Sequence, residues 1–126
     1  MKPASCKQKG RSYQQWVRDE LLKAFPVLEQ DDIKSTSMGA QGVDVQLSPA
    51  AQKLFPFDIE CKAVERINVW EAWKQASANA KKNDPILFIK RNRVRPLVVL
   101  DAEQFISIMA EINSGRGNVS NNRDGS

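Results

Sequence analysis

Asp44, Glu60 and Lys62 are the residues of this sequence best spaced to do chemistry together. Glu60 and Lys62 lie two apart in Phe57-Asp58-Ile59-Glu60-Cys61-Lys62-Ala63, where apolar and polar residues alternate. In an extended strand that spacing turns both side chains to one face. Asp44 lies in a second alternating stretch, 43–48, on the side of Gln46 and Ser48 and opposite Val43, Val45 and Leu47. The connection between the two stretches is short, so an antiparallel pair would let Asp44 approach Glu60. Two carboxylates brought together repel, and a divalent cation resolves that repulsion. Magnesium is satisfied by one or two carboxylates, several waters and a phosphate oxygen. The main-chain carbonyl of Cys61 offers one more oxygen. Lys62 could position a water or stabilise charge developing on a phosphate. The alternative is a solvated polar face with a cross-strand Glu–Lys pair. A Glu-x-Lys triplet with an upstream Asp is common by chance. Here the triplet lies in a strand, and Asp44 follows Gly42 in a turn where backbone can approach a ligand closely.

Composition narrows the chemistry further. The chain has 126 residues and no histidine, which removes Ser-His-Asp and Cys-His nucleophile systems and His-ligated zinc. Acid, base or metal work falls to carboxylates, lysines and water, and oxygen ligands favour Mg²⁺ or Mn²⁺. The two cysteines, Cys6 and Cys61, form no CxxC pair, and Cys61 reads as a buried small hydrophobe in a reducing setting. No apolar run approaches the roughly 20 residues of a membrane span, and the basic N-terminus lacks a signal-peptide core. A cytoplasmic place, in a bacterium or a phage-infected host, is expected. The net charge of +4 is mild, but it is clustered. Lys2, Lys7, Lys9 and Arg11 gather at the start, and Lys90, Arg91, Arg93 and Arg95 around a turn near residue 92. Two basic patches suit phosphate contacts, although basic turns also serve solubility alone.

The elements that must position these residues follow from periodicity. Residues 9–25 form an amphipathic helix with Tyr13, Trp16, Val17, Leu21 and Ala24 on one face, ended by Pro26. Residues 32–37 suit a short strand before a turn at Met38–Gly42. Strands at 43–48 and 57–63 carry the acids, with a plain connection at 49–56. A helix over 68–82 sets Trp70, Trp73, Ala76 and Ala80 toward the core. Residues 86–90 and 96–100 are near-continuous apolar runs, as in buried strands. Asp101 can cap a last helix, 102–112. The order αβββαββα describes one α/β domain, residues 1–112, with a mixed sheet flanked by helices. Residues 113–126, rich in Gly, Asn and Ser, are expected to be a disordered tail.

Gly42-x-Asp44, then Glu60-x-Lys62 on the next strand, between a preceding helix and a following helix and strands, resembles the PD-(D/E)xK nuclease superfamily. The triplet Glu60-Cys61-Lys62 is similar to that of archaeal-type Holliday junction resolvases and small phage nucleases. The resemblance spans roughly residues 9–110. It implies a restriction-endonuclease-like sandwich and metal-dependent phosphodiester hydrolysis of DNA. It makes Asp44 and Glu60 ligands of Mg²⁺ or Mn²⁺, and Lys62 the catalytic lysine. In the resolvases it also implies a homodimer acting on branched DNA.

Two departures bear on the site. Resolvase relatives carry a glutamate on the first helix soon after a Lys-Gly pair. Lys9-Gly10 is present, but Gln14 stands at the matching place. Glu20, near the centre of the expected apolar face, is the other candidate, because a lone acid there needs a partner. Many members also place a Gln or Lys on the helix after the triplet, which points to Lys74 or Gln75. Gln75 either faces the site or is solvated. Lys9, Arg11, Ser37, Lys90, Arg91 and Arg93 are the expected DNA contacts, with Ser37 equally readable as a turn former. Trp70 and Trp73 read as core; if exposed, they could stack on unpaired bases or form a dimer face. Three functions stay open: a structure-selective DNA endonuclease, a general or single-strand-directed nuclease, and a non-catalytic DNA-binding module with this fold.

Overall fold

The computed structural model of the protein describes residues 3–36 and 43–124, with side chains over 8–36 and 43–115. Among the described residues its elements are α1 (Pro3–Ala24), β1 (Ile33–Ser35), β2 (Val45–Leu47), α2 (Pro49–Leu54), β3 (Phe57–Ala63), α3 (Val69–Asn79), β4 (Asp84–Lys90), β5 (Leu97–Val99) and α4 (Ala102–Asp124), plus a 3₁₀ turn at Gln30–Asp32. The strands form one mixed sheet in the order β1-β2-β3-β4-β5. All neighbours are antiparallel except β3 and β4. Parallel neighbours need a crossover, and α3 provides it.

The pleat of β3 divides the protein into two packing layers. Phe57, Ile59, Cys61 and Ala63 face the layer built by α1, whose buried stripe is Tyr13, Gln14, Val17 and Leu21. Val17 and Ile59 are 0% exposed, and Ile33 and Val45 1% each. Each such side chain stabilises the fold by about 1.5–3 kcal/mol relative to solvent exposure. On the second face α3 lays Ala72 and Ala76 against Leu87, with Trp73, Ile89 and Val99 at the margin. Glu60 and Lys62 pair in register with Leu87 and Ile89, so they share that face.

Several expectations are corrected. The connection at 49–56 contains α2, which Ser48 caps by accepting from the Ala51 N–H at 3.1 Å, with Pro49 at the first helical position. The helix expected over 68–82 ends at Asn79, and Asp84-Pro85 already opens β4. Trp70 is 83% exposed, because the buried face of α3 runs through Ala72 and Ala76. β5 is not a buried strand but the sheet edge, with Leu97 58% and Val98 48% exposed. α4 continues to Asp124 through the residues expected to be a disordered tail, and their Gly, Asn and Ser content gives no local reason for it. α1 begins at Pro3, so Lys7, Lys9 and Arg11 of the first basic cluster all lie on the helix; Lys2 lies outside the described residues. Among the described residues no helix is long and apolar enough to cross a membrane.

Candidate metal and phosphate site

Asp44 stands where the chain enters β2. Its main chain is fixed on both sides: its N–H donates to the Ile59 carbonyl at 2.9 Å, and its carbonyl accepts from the Thr36 N–H at 2.9 Å and the Thr36 hydroxyl at 3.1 Å. The side chain then turns onto β3, where Oδ2 accepts the Cys61 N–H at 2.8 Å. A carboxylate thus takes a ladder donor that a backbone carbonyl would ordinarily take. This places Asp44 over the Glu60-Cys61-Lys62 triplet.

Glu60 is only 5% exposed. Its Oε1 accepts from Asn79 Nδ2 at 3.2 Å, at the last residue of α3. Burial raises the pKa of Glu60, and the charge of Asp44 raises it further; the Asn79 hydrogen bond and Lys62 pull it back only in part. Burial likewise raises that of Asp44, against the Cys61 N–H and the Lys62 charge. The polar face of β3 is therefore no solvated strip at this point. Two desolvated carboxylates sense one another, with Lys62 as the neighbouring cation. Burial, then the charges of Asp44 and Glu60, hold the Cys61 thiol well above its usual range, so its sulfur stays protonated. What Cys61 can offer a cation is its carbonyl.

Asp58, on the same face, shows the contrast. Its Oδ2 accepts the Lys81 and Lys82 N–H groups at 2.8 and 3.0 Å, and Oδ1 accepts from Asn83 Nδ2 at 3.3 Å. That carboxylate is committed to the turn between α3 and β4.

Among the described residues no three acidic, cysteine or histidine side chains converge as a metal site. Magnesium does not require three, since two carboxylates, one carbonyl and waters satisfy it. An all-oxygen donor set with two raised-pKa carboxylates fits a hard divalent cation. Lys62 opens on a shallow groove of about 490 Å³ along α3, lined also by Arg66, Lys74, Gln75 and Glu71. Gln75 is exposed there, on the wall of the Lys62 groove.

Glu20 does not join the site. The buried stripe of α1 is rotated toward Gln14, which leaves the Glu20 side chain 43% exposed and bonded to Lys23 at 3.0 Å. Gln14, 4% exposed, lies inside that stripe. Ser37 and Gly42 lie outside the described residues. Lys9 and the turn bearing Lys90 and Arg91 come together across one groove. Arg11, two residues on along α1, stands on another side of that helix from Lys9 and is exposed. Arg93 is exposed at the tip of the β4–β5 turn in a left-handed conformation, φ 65°. The sequence did not point to Asn79; it lies 19 residues from Glu60, and only the return of α3 brings it there. Comparison of the chain with protein-family models, curated proteins and solved structures finds no match.

Proposed function

We propose that this chain is a metal-dependent DNA endonuclease of the PD-(D/E)xK type, centred on Asp44, Glu60 and Lys62. One observation carries the reading: the buried Glu60 carboxylate and the partly buried one of Asp44 stand close enough to sense each other's charge, with Lys62 beside both. A folded protein gains no stability from two desolvated acids of raised pKa, so they suit a ligand of opposite charge. Asp44 and Glu60, with the Cys61 carbonyl, would hold Mg²⁺ or Mn²⁺. When bound, the cation would polarise a phosphoryl oxygen and lower the pKa of a water. The residues do the rest. Asn79 fixes the Glu60 carboxylate, and the Cys61 N–H fixes that of Asp44. Lys62 donates to a non-bridging phosphate oxygen or orients the attacking water. Gln75, Lys74 and Arg66 line the path by which the strand reaches Lys62.

We assign branched DNA as the preferred substrate and a homodimer as the working form. A second copy would cover the edge strand and the start of α4, where Leu97, Val98, Phe105 and Ile106 are 58, 48, 53 and 65% exposed. Antiparallel pairing of β5 with its copy about Val98 sets Arg95 opposite Asp101, so the charges at the two ends match.

The test is cleavage of labelled four-way junction, linear duplex and single strand with Mg²⁺, Mn²⁺ or EDTA. Cleavage should need the cation and fall by about 100-fold or more in Asp44→Ala and Lys62→Ala. Retained cleavage in either folded variant would remove the site. DNA binding without cleavage of any substrate would favour the non-catalytic module.

A further inference from the structure

Resting on the reading of DNA as substrate, we infer that the groove between α1 and the β4–β5 turn is a pocket for one unpaired base of the bound strand. Trp16 is 42% exposed, although it lies on the helix that supplies the core. Its ring is stacked on that of Tyr13, with centroids 5.9 Å apart and planes 19° from parallel. Tyr13 is 3% exposed, and its hydroxyl donates to the Ile89 carbonyl at 3.1 Å. The inner ring of the stack is thus locked to the sheet, and the outer one offers a preset aromatic surface.

The groove beside it has a volume of about 440 Å³. That falls in the range of about 300–1,000 Å³ typical of small-ligand pockets. Its rim carries Lys9, Lys90 and Arg91 against one acid, Glu65. Glu65 is itself structural: it accepts the Asn92 N–H at 2.8 Å and stands 4.0 Å from Lys9, clipping the turn to α1. An aromatic floor under a rim of net positive charge matches a base with its flanking phosphates. The base must be unpaired, because both faces of a base inside a duplex are already stacked. Ala63, on the wall of the groove, directly follows Lys62. Ala63 faces the α1 layer and Lys62 the α3 layer, so a strand anchored here by one base reaches the proposed catalytic lysine around the end of β3, past Glu65 and Arg66. Branch points, flaps and single strands supply such a base; a continuous duplex does not.

The test is fluorescence anisotropy of a labelled oligothymidylate and of a blunt duplex, both in EDTA, with Trp16→Ala, Trp16→Phe and Arg91→Ala. Trp16→Ala should weaken the single strand about tenfold and the blunt duplex less than about twofold, while Trp16→Phe stays near wild type. Arg91→Ala, at an exposed position, should weaken the single strand and lower its salt dependence. Equal losses on both DNAs, or none in Trp16→Ala and Arg91→Ala, would overturn the pocket. Binding in EDTA involves no turnover. A failed cleavage reading would leave this result standing, and a failed pocket would leave Lys62-dependent cleavage standing.

Discussion

Glu60→Gln should make the protein more stable and abolish its response to magnesium. The substitution is nearly isosteric, and its amide oxygen can still accept from Asn79, so it removes charge and little else. That charge sits on a side chain of a residue 5% exposed, beside a second carboxylate of raised pKa. Burying an ionised group costs several kcal/mol before compensation, and Lys62 with Asn79 offsets part. Functional groups held this way are commonly worth about 0.5–2 kcal/mol of lost stability. A gain of about 1 kcal/mol would raise Tm by about 3–6 °C for a domain of this size. The sign with pH follows. Because folding raises the Glu60 pKa, the associated stability is fully present below the unfolded carboxylate pKa and is lost as pH rises through the folded value. The wild type should therefore lose more stability between pH 4 and pH 7 than the variant does, and the two should converge in acid. Magnesium works in the other direction: at about ten times its Kd it stabilises by RT ln 11, about 1.4 kcal/mol. Differential scanning fluorimetry in EDTA and in a magnesium titration reads both effects. A variant less stable than wild type in EDTA would show that Glu60 is a structural carboxylate. A variant that gains as much Tm from magnesium as wild type would place the cation elsewhere.

Asp58→Ala should do the opposite, lowering stability by about 2–4 kcal/mol because it strips the Lys81 and Lys82 N–H groups of their acceptor. Urea unfolding measures it, and cleavage by the folded fraction should persist; a loss below about 1 kcal/mol would contradict the assignment. Phe105→Glu should turn the proposed dimer into a monomer in sedimentation, since it puts a charge on the exposed apolar start of α4. An unchanged sedimentation coefficient would clear that surface of a role.

The strands of the site were legible because alternation in 57–63 and 43–48 is a period that only a pleated strand satisfies, and the structure has β3 at the same bounds. What stayed hidden is tertiary. Whether Leu97 and Val98 are interior depends on there being no strand beyond β5, which their own apolar character does not encode. The face of α3 is set by how near its backbone lies to Leu87: Ala72 and Ala76 fit, and Trp70 is turned out. The same rotation problem moved Glu20 to the rim and Gln14 inward, since both flank a stripe whose centre only packing decides. α2 was readable from Ser48-Pro49, a cap followed by a first-turn proline, yet six residues between two prolines look like a loop.

The contrast within one sheet face is the best argument that the carboxylate pair is functional. Asp58 and Glu60 are buried and Asp44 partly so, beside one another. Asp58 receives three hydrogen bonds, two of them from main-chain donors that would otherwise be left unmatched. A fold that needs a buried acid satisfies it in that way. Glu60 receives one amide at 3.2 Å, and its pKa stays raised despite Lys62. Asp44 receives one N–H, and its pKa stays raised too. The same few residues of chain that could satisfy Asp58 fully leave the neighbouring pair in want of positive charge. Stability alone would favour an amide or an apolar residue at either position. What the two acids do provide is an oxygen cluster of net negative charge beside a lysine, and a divalent cation with a phosphate is the ligand that satisfies both signs at once.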